Sequence, residues 1–213
     1  MKRQYYKCLL IGSNQTGKTY FTRHIWAKSI LKGDPNKTVI IVTDNLQDVT
    51  LKGIPKCTKI NDLPKYRSGI VAFWDSELVE QGGNRAVFAG IHKLMKAKKL
   101  NKGGIVFDDA TKWFTEGKLD RKVEALLYDY RHSALDILII MHSLSSVPKR
   151  LLNQVHIISM KKTLEPAYDI KFFQKRGFPN YTKVFSAYQS LQKVDLKKSP
   201  EKWKTITIQT GLG

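Results

Sequence analysis

Residues 12–19 read Gly12-Ser13-Asn14-Gln15-Thr16-Gly17-Lys18-Thr19. Every fixed position of G-x-x-x-x-G-K-[ST], the phosphate-binding loop, is filled. The surroundings fit as well. Tyr5 to Ile11 is an apolar run that reads as a strand, and Lys18 to Leu31 reads as a helix ended by Gly33-Asp34-Pro35. The glycines allow backbone N–H groups to turn inward on phosphate oxygens, and the helix that follows aims its positive end at them. Lys18 adds a point charge, and the Thr19 hydroxyl is a ligand for Mg²⁺. Gly12, Ser13, Asn14, Gln15, Thr16, Gly17, Lys18, Thr19 and Tyr20 are therefore the candidate nucleotide-binding residues, with ATP the expected nucleotide.

Two further blocks extend the site. Gly104-Ile105-Val106-Phe107-Asp108-Asp109 is an apolar strand ending in two carboxylates. Downstream of a P-loop, Asp108 is expected to help hold Mg²⁺ and Asp109 to polarise the attacking water. Leu135 to Met141 is the next strand, and His142 at its tip is a candidate sensor of the γ-phosphate or a hydrogen-bonded strand-end histidine. Arg131 before that strand and Arg150 after it are candidates for an arginine offered to a neighbour's nucleotide. Either could equally be a DNA-contacting or surface arginine.

Outside these blocks, strand-like and helix-like stretches alternate. Thr38 to Thr43, Gly69 to Trp74 and Val155 to Met160 are apolar runs, while Arg85 to Leu100 and Leu119 to Tyr130 carry helical stripes. β-branched runs with little alternation suit strands buried on both faces, as in a parallel sheet wrapped by helices. The expected fold is α/β: a RecA-like P-loop domain over 1–160 with a mostly parallel central sheet. A short basic segment over 161–213 is expected to pack on the same domain. Between Lys161 and Lys204 stand eleven Lys or Arg and four Asp or Glu, interleaved with aromatics from Tyr168 to Trp203. Those aromatics are read as packing on the sheet in preference to a nucleic-acid surface.

Composition narrows the class. The chain has 213 residues, 42% hydrophobic, and a formal charge of +19. That apolar content excludes a disordered chain, and Cys8 and Cys57 cannot make a disulfide scaffold. No apolar run approaches a membrane span or a signal sequence, so an intracellular location and no integral membrane segment are expected. Such an excess of positive charge points to a polyanionic partner, with nucleic acid the first choice. Lys93, Lys96, Lys98, Lys99 and Lys102 are candidate backbone-gripping residues, or the solvated face of a helix.

The order of the blocks then carries a resemblance. The P-loop and the hydrophobic-Asp108-Asp109 strand are followed by Tyr130-Arg131-His132 running into Leu135-Asp136-Ile137-Leu138-Ile139-Ile140. His142-Ser143-Leu144-Ser145-Ser146-Val147-Pro148 then leads to Arg150. This resembles the FtsK–HerA superfamily of ring-forming, DNA-pumping ATPases, over residues 5–160. Two branches fit a chain of this length: genome-packaging ATPases of viruses with double-jelly-roll capsids, and Zot-like assembly ATPases of filamentous phages, which act on single-stranded DNA. The second typically carries a membrane segment, which is not visible here. The resemblance implies ATP hydrolysis coupled to packaging double-stranded viral DNA, a homo-oligomeric ring, capsid vertex or portal partners, and a place in the host cytoplasm or at the virion vertex. It places Asp109 where many members have Glu, and His142 where members usually have Gln. A small-molecule or nucleotide kinase is the alternative from another class.

Overall fold

The apolar runs form eight strands: β1 (Lys7–Ile11), β2 (Thr38–Val42), β3 (Lys56–Cys57), β4 (Gly69–Phe73), β5 (Gly103–Phe107), β6 (Leu135–Met141), β7 (Ile157–Met160) and β8 (Ile206–Gln209). They are seen in a computed structural model that describes residues 5–32, 34, 36–100, 102–113, 121–197 and 204–211. Gly33 and Pro35, the expected helix stop, Leu119, the expected helix start, and Trp203 lie outside the described residues. The strand order is β3-β4-β2-β5-β6-β1-β7-β8. β1–β7, β2–β4, β2–β5 and β3–β4 pair parallel, and β8 joins β7 antiparallel. Every residue of β1, β2, β5 and β6 is buried, which is why these strands lack alternation.

The chain divides into two compact units. The first is built mainly from the described residues of Thr19–Asp108 and Asp120–Leu138. In it β5 has a helix on each face. Gly104 faces the first helix, α1 (residues 18–31), where Trp26 and Ile30 fill the space a side chain would take. Phe107, three residues on and so on the opposite face, meets Phe88 of α3 (Asn84–Lys96) with the rings tilted and their centroids 5.6 Å apart. A Cβ at Gly104 would lie 2.6 Å from the Trp26 ring and 2.8 Å from Ile30. Gly104→Val is therefore expected to destabilise by about 2 kcal/mol, read as a melting temperature lower by roughly 4–8 °C.

Two helices differ from the sequence expectation. Within α1, Phe21–Ala27 is π-helical between α-helical Lys18–Tyr20 and Lys28–Leu31. Thr22, Trp26 and Ile30 are buried at intervals of four, with Ala27 buried beside Trp26. The stripe expected over 85–100 is shorter at its end and preceded by a separate helix, α2 (Ser76–Gly82). Asp75 caps α2 by accepting from the Leu78 N–H, and Gly83 at φ 66° breaks the chain between the two helices. Lys98, at φ 52°, turns the chain after α3. Lys93 and Lys96 thus stand on the last turn of α3, and Lys98, Lys99 and Lys102 on the connection to β5; all five are exposed. α4 (Arg121–Asp129) completes the unit, joined to α3 by a 2.7 Å contact between His92 and Asp129.

The second unit contains Tyr6–Lys18, the described part of Asp109–Leu119, and Ile139–Gly213 apart from its undescribed residues. It therefore holds the P-loop together with residues 161–197 and 204–211. Its helices are α5 (Lys149–Leu152), α6 (Ile170–Arg176) and α7 (Tyr181–Gln192). The C-terminal aromatics pack together: Phe173 is fully buried and meets Phe172, Phe178, Phe185 and Tyr188, all with centroids within 5.7 Å. Cys8 and Cys57 are buried and unbridged.

Candidate active site

β1 delivers the chain into the loop at its carboxyl end. The Gly12 N–H donates to the Met141 carbonyl at 3.1 Å, and the Ser13 N–H to the Lys162 carbonyl at 3.0 Å. A Cβ at Gly12 would lie 2.8 Å from the Lys161 Cβ and 2.9 Å from Thr16 Oγ1, so only glycine fits there. Gln15 and Gly17 take positive φ, 62° and 79°, and curl the loop into the concave backbone that binds anions. Thr16 Oγ1 closes the turn on the Ser13 carbonyl at 2.7 Å. This cradle fits a phosphate chain. Asn14 and Gln15 are exposed at its rim. Tyr20, 49% exposed on α1, stacks on His24 with centroids 4.7 Å apart.

Lys18 is buried beneath the loop, its Nζ donating to the Gly12 carbonyl at 2.7 Å and the Ser13 carbonyl at 2.8 Å. The same Nζ stands 3.2 Å from His142 Nδ1. An ammonium can only donate, so His142 Nδ1 is an acceptor and its proton sits on Nε2. His142 Nε2 lies 3.0 Å from Asp109 Oδ1, and Lys112 Nζ lies 3.0 Å from Asp109 Oδ2. The expected site residues Lys18, His142 and Asp109 thus form one chain of contacts. Asp109 itself is left-handed, at φ 51°, a conformation that Asp and Asn tolerate better than most residues.

The His142 hydrogen bond, opposed by partial burial and aided by Lys112, holds the Asp109 carboxyl down at about 2. A depressed carboxyl stabilises the fold above its unfolded value and loses that contribution as pH falls through the folded one. The stability difference between the wild type and Asp109→Asn is expected to be about 2 kcal/mol near neutrality and to vanish between about pH 4 and pH 2. Chemical denaturation of both proteins across that range measures it.

The sequence did not single out Lys161. It is 2% exposed beneath Gly12, and burial, with a smaller contribution from the Lys18 charge, pushes its ammonium down to about 8. The clue was a lysine placed directly after an apolar strand, which is indistinguishable by pattern from its neighbour Lys162. Thr19 and Asp108 fall in the first unit, both half-buried. A hydroxyl and a carboxylate are the hard oxygen donors that Mg²⁺ takes beside phosphate oxygens.

Both candidate arginines are exposed. Arg131 is exposed at the amino end of β6, its Nε donating to the Tyr130 hydroxyl at 2.7 Å. Tyr130 is buried and donates in turn to the Tyr5 carbonyl at 3.3 Å. His142 follows the carboxyl end of the same strand, whose seven residues span roughly 20 Å. Arg150 is exposed on α5, just beyond the loop that follows His142.

No protein-family model matches the sequence, and no curated protein does. Solved structures do match. The fold is shared with a viral genome packaging NTPase. That protein is B204 of Sulfolobus turreted icosahedral virus 2, and its complex with ATP-gammaS superposes with a TM-score of 0.70 at 15% identity. The alignment covers 97% of this chain and 93% of that one. The B204 complex with sulfate gives a TM-score of 0.71 at 17% identity, over 98% and 93% of the two chains. At these identities the likeness to B204 establishes the fold, an α/β P-loop NTPase fold with a mostly parallel eight-stranded sheet. The N-terminal domain of zonular occludens toxin from Neisseria meningitidis gives a TM-score of 0.48 over 78% of this chain and 81% of that one, at 16% identity, too low to weigh further. Among the described residues no helix is long and apolar enough to cross a membrane.

Proposed function

We propose that this chain is an ATP-hydrolysing motor that moves double-stranded viral DNA into a capsid. The observation that carries the reading is the Lys18–His142–Asp109 chain of contacts beside a phosphate-binding loop. Full-length likeness to the fold of a packaging NTPase supports it, as does the +19 charge.

Phosphoryl transfer asks the protein for position and charge more than for covalent chemistry. Lys18 donates to the Gly12 and Ser13 carbonyls and to His142. A triphosphate in the cradle draws that ammonium onto its oxygens, and His142 Nδ1 is then left as an acceptor for the attacking water. Asp109, on the other ring nitrogen, keeps the tautomer that makes this possible and stabilises the proton once it is taken. A carboxyl held near 2 is a poor base, so Asp109 acts on the water through His142. Thr19 and Asp108 would hold Mg²⁺, which would supply positive charge against the phosphates.

In this reading the chain works as a homo-oligomeric ring at a capsid vertex or portal, in the host cytoplasm and on the virion. Arg131 or Arg150 reaches a neighbour's nucleotide, and the exposed lysines from Lys93 to Lys102 grip the DNA backbone. Displacement of a triplex-forming strand from a long duplex tests translocation directly. ATP-dependent displacement by the wild type, lost in Lys18→Ala, is the expected outcome. Hydrolysis without any displacement would remove the translocation half of the proposal.

A further inference from the structure

The loop after His142 carries backbone groups that β6 no longer satisfies. The Leu144 and Ser145 N–H groups both donate to the Glu165 carboxylate, at 2.6 and 3.0 Å, and Ser145 Oγ donates to it at 2.7 Å. The Tyr168 hydroxyl donates to the same carboxylate at 3.0 Å. On the carbonyl side, the Arg176 guanidinium donates to Ser145 and to Val147. The stretch bearing Glu165 is also fastened to the P-loop. Lys162 accepts from the Ser13 N–H at 3.0 Å, and the Leu164 N–H donates to Ser13 Oγ at 2.7 Å. Residues 162–165 thus hold the phosphate loop at one end and the loop carrying His142 at the other.

We infer that Glu165 is a positioning residue that sets the sensor loop, and through it His142, against the P-loop. Its carboxylate accepts from the loop at Leu144 and Ser145, and through the loop it acts on His142. The inference rests on the hydrolysis reading for its kinetic consequence and on the loop geometry for its structural one. Two carboxylate oxygens receive four donors, bonds that are charge-assisted and so stronger than neutral ones. A glutamine offers one acceptor oxygen and one amide donor, which would face a donor of the loop. The loop then loosens, and a displacement of about 1 Å at a reacting group is enough to cost on the order of 10²-fold in rate.

The test compares the wild type with Glu165→Gln and Glu165→Asp by steady-state ATP hydrolysis, thermal melting and the ¹⁵N spectrum of the His142 imidazole. In Glu165→Gln, kcat is expected to fall about 10-fold or more with KM held within about twofold, because the backbone links from 162 and 164 to Ser13 survive. The wild-type imidazole should show Nε2 protonated and Nδ1 unprotonated, and the variant a shifted or mixed pattern. Glu165→Asp, which keeps the charge, should recover part of kcat. An unchanged kcat and imidazole spectrum would overturn the inference, and so would loss of cooperative melting in both variants, which would make Glu165 a residue of the fold. If the wild type does not hydrolyse ATP, the hydrolysis reading fails, yet the imidazole spectrum still decides positioning: a shift supports it and no shift overturns it.

Discussion

Lys18→Ala is expected to reduce ATP turnover by about 10³-fold or more, the largest single effect in this protein. The Lys18 ammonium donates to the carbonyls of Gly12 and Ser13 and stands beside the ring of His142. Alanine removes the charge that would meet the phosphates and leaves a buried gap under the loop. Both kcat and the apparent affinity for ATP should therefore suffer. The fold should survive, because β1 remains paired with β7 through Cys8–Ile157 to Ile11–Met160 and the loop stays tied through Ser13 to residues 162 and 164. Circular dichroism melting alongside the ATPase assay separates the two effects. Near-normal turnover in a folded variant would show that the cradle does not work on phosphate.

Asp109→Asn is expected to lower kcat by about 10³-fold with a smaller change in KM. Asparagine accepts the same left-handed backbone, so the substitution isolates the charge. It also reverses the hydrogen-bond logic. An amide NH₂ turned toward Nε2 favours protonation of Nδ1, and that nitrogen stands 3.2 Å from the Lys18 ammonium. Donor would then face donor, and the acceptor for water would be gone. A kcat within about threefold of the wild type would contradict the assigned roles of both His142 and Asp109.

Much of this was legible in the sequence for identifiable reasons. The strand β2 is an unbroken β-branched run and β6 is apolar but for Asp136, and burial on both faces leaves no alternation to misread. The P-loop spacing is dictated by backbone geometry around phosphate, so motif and cradle coincide. The direct contact of His142 with both Lys18 and Asp109 was not legible, since three segments far apart in sequence must meet to create it. The π-helical turn in α1 has no signature in the local residue pattern of 21–27. Glu165 and Arg176 looked like ordinary charges in a basic segment. Their role comes from a loop whose amides and carbonyls need partners, and no local pattern announces that. Among the aromatics from Tyr168 onward, Phe173 sits at the centre of a cluster of rings, a tertiary grouping that composition alone does not place.

The most direct measurement is steady-state ATP hydrolysis by the wild type and Lys18→Ala, with no DNA, with duplex DNA and with single strands. Turnover that duplex DNA raises and Lys18→Ala abolishes is the predicted result. Stimulation by single strands alone would replace packaging with extrusion of single-stranded DNA. Phosphate transfer to an added small acceptor, indifferent to DNA, would contradict the motor altogether.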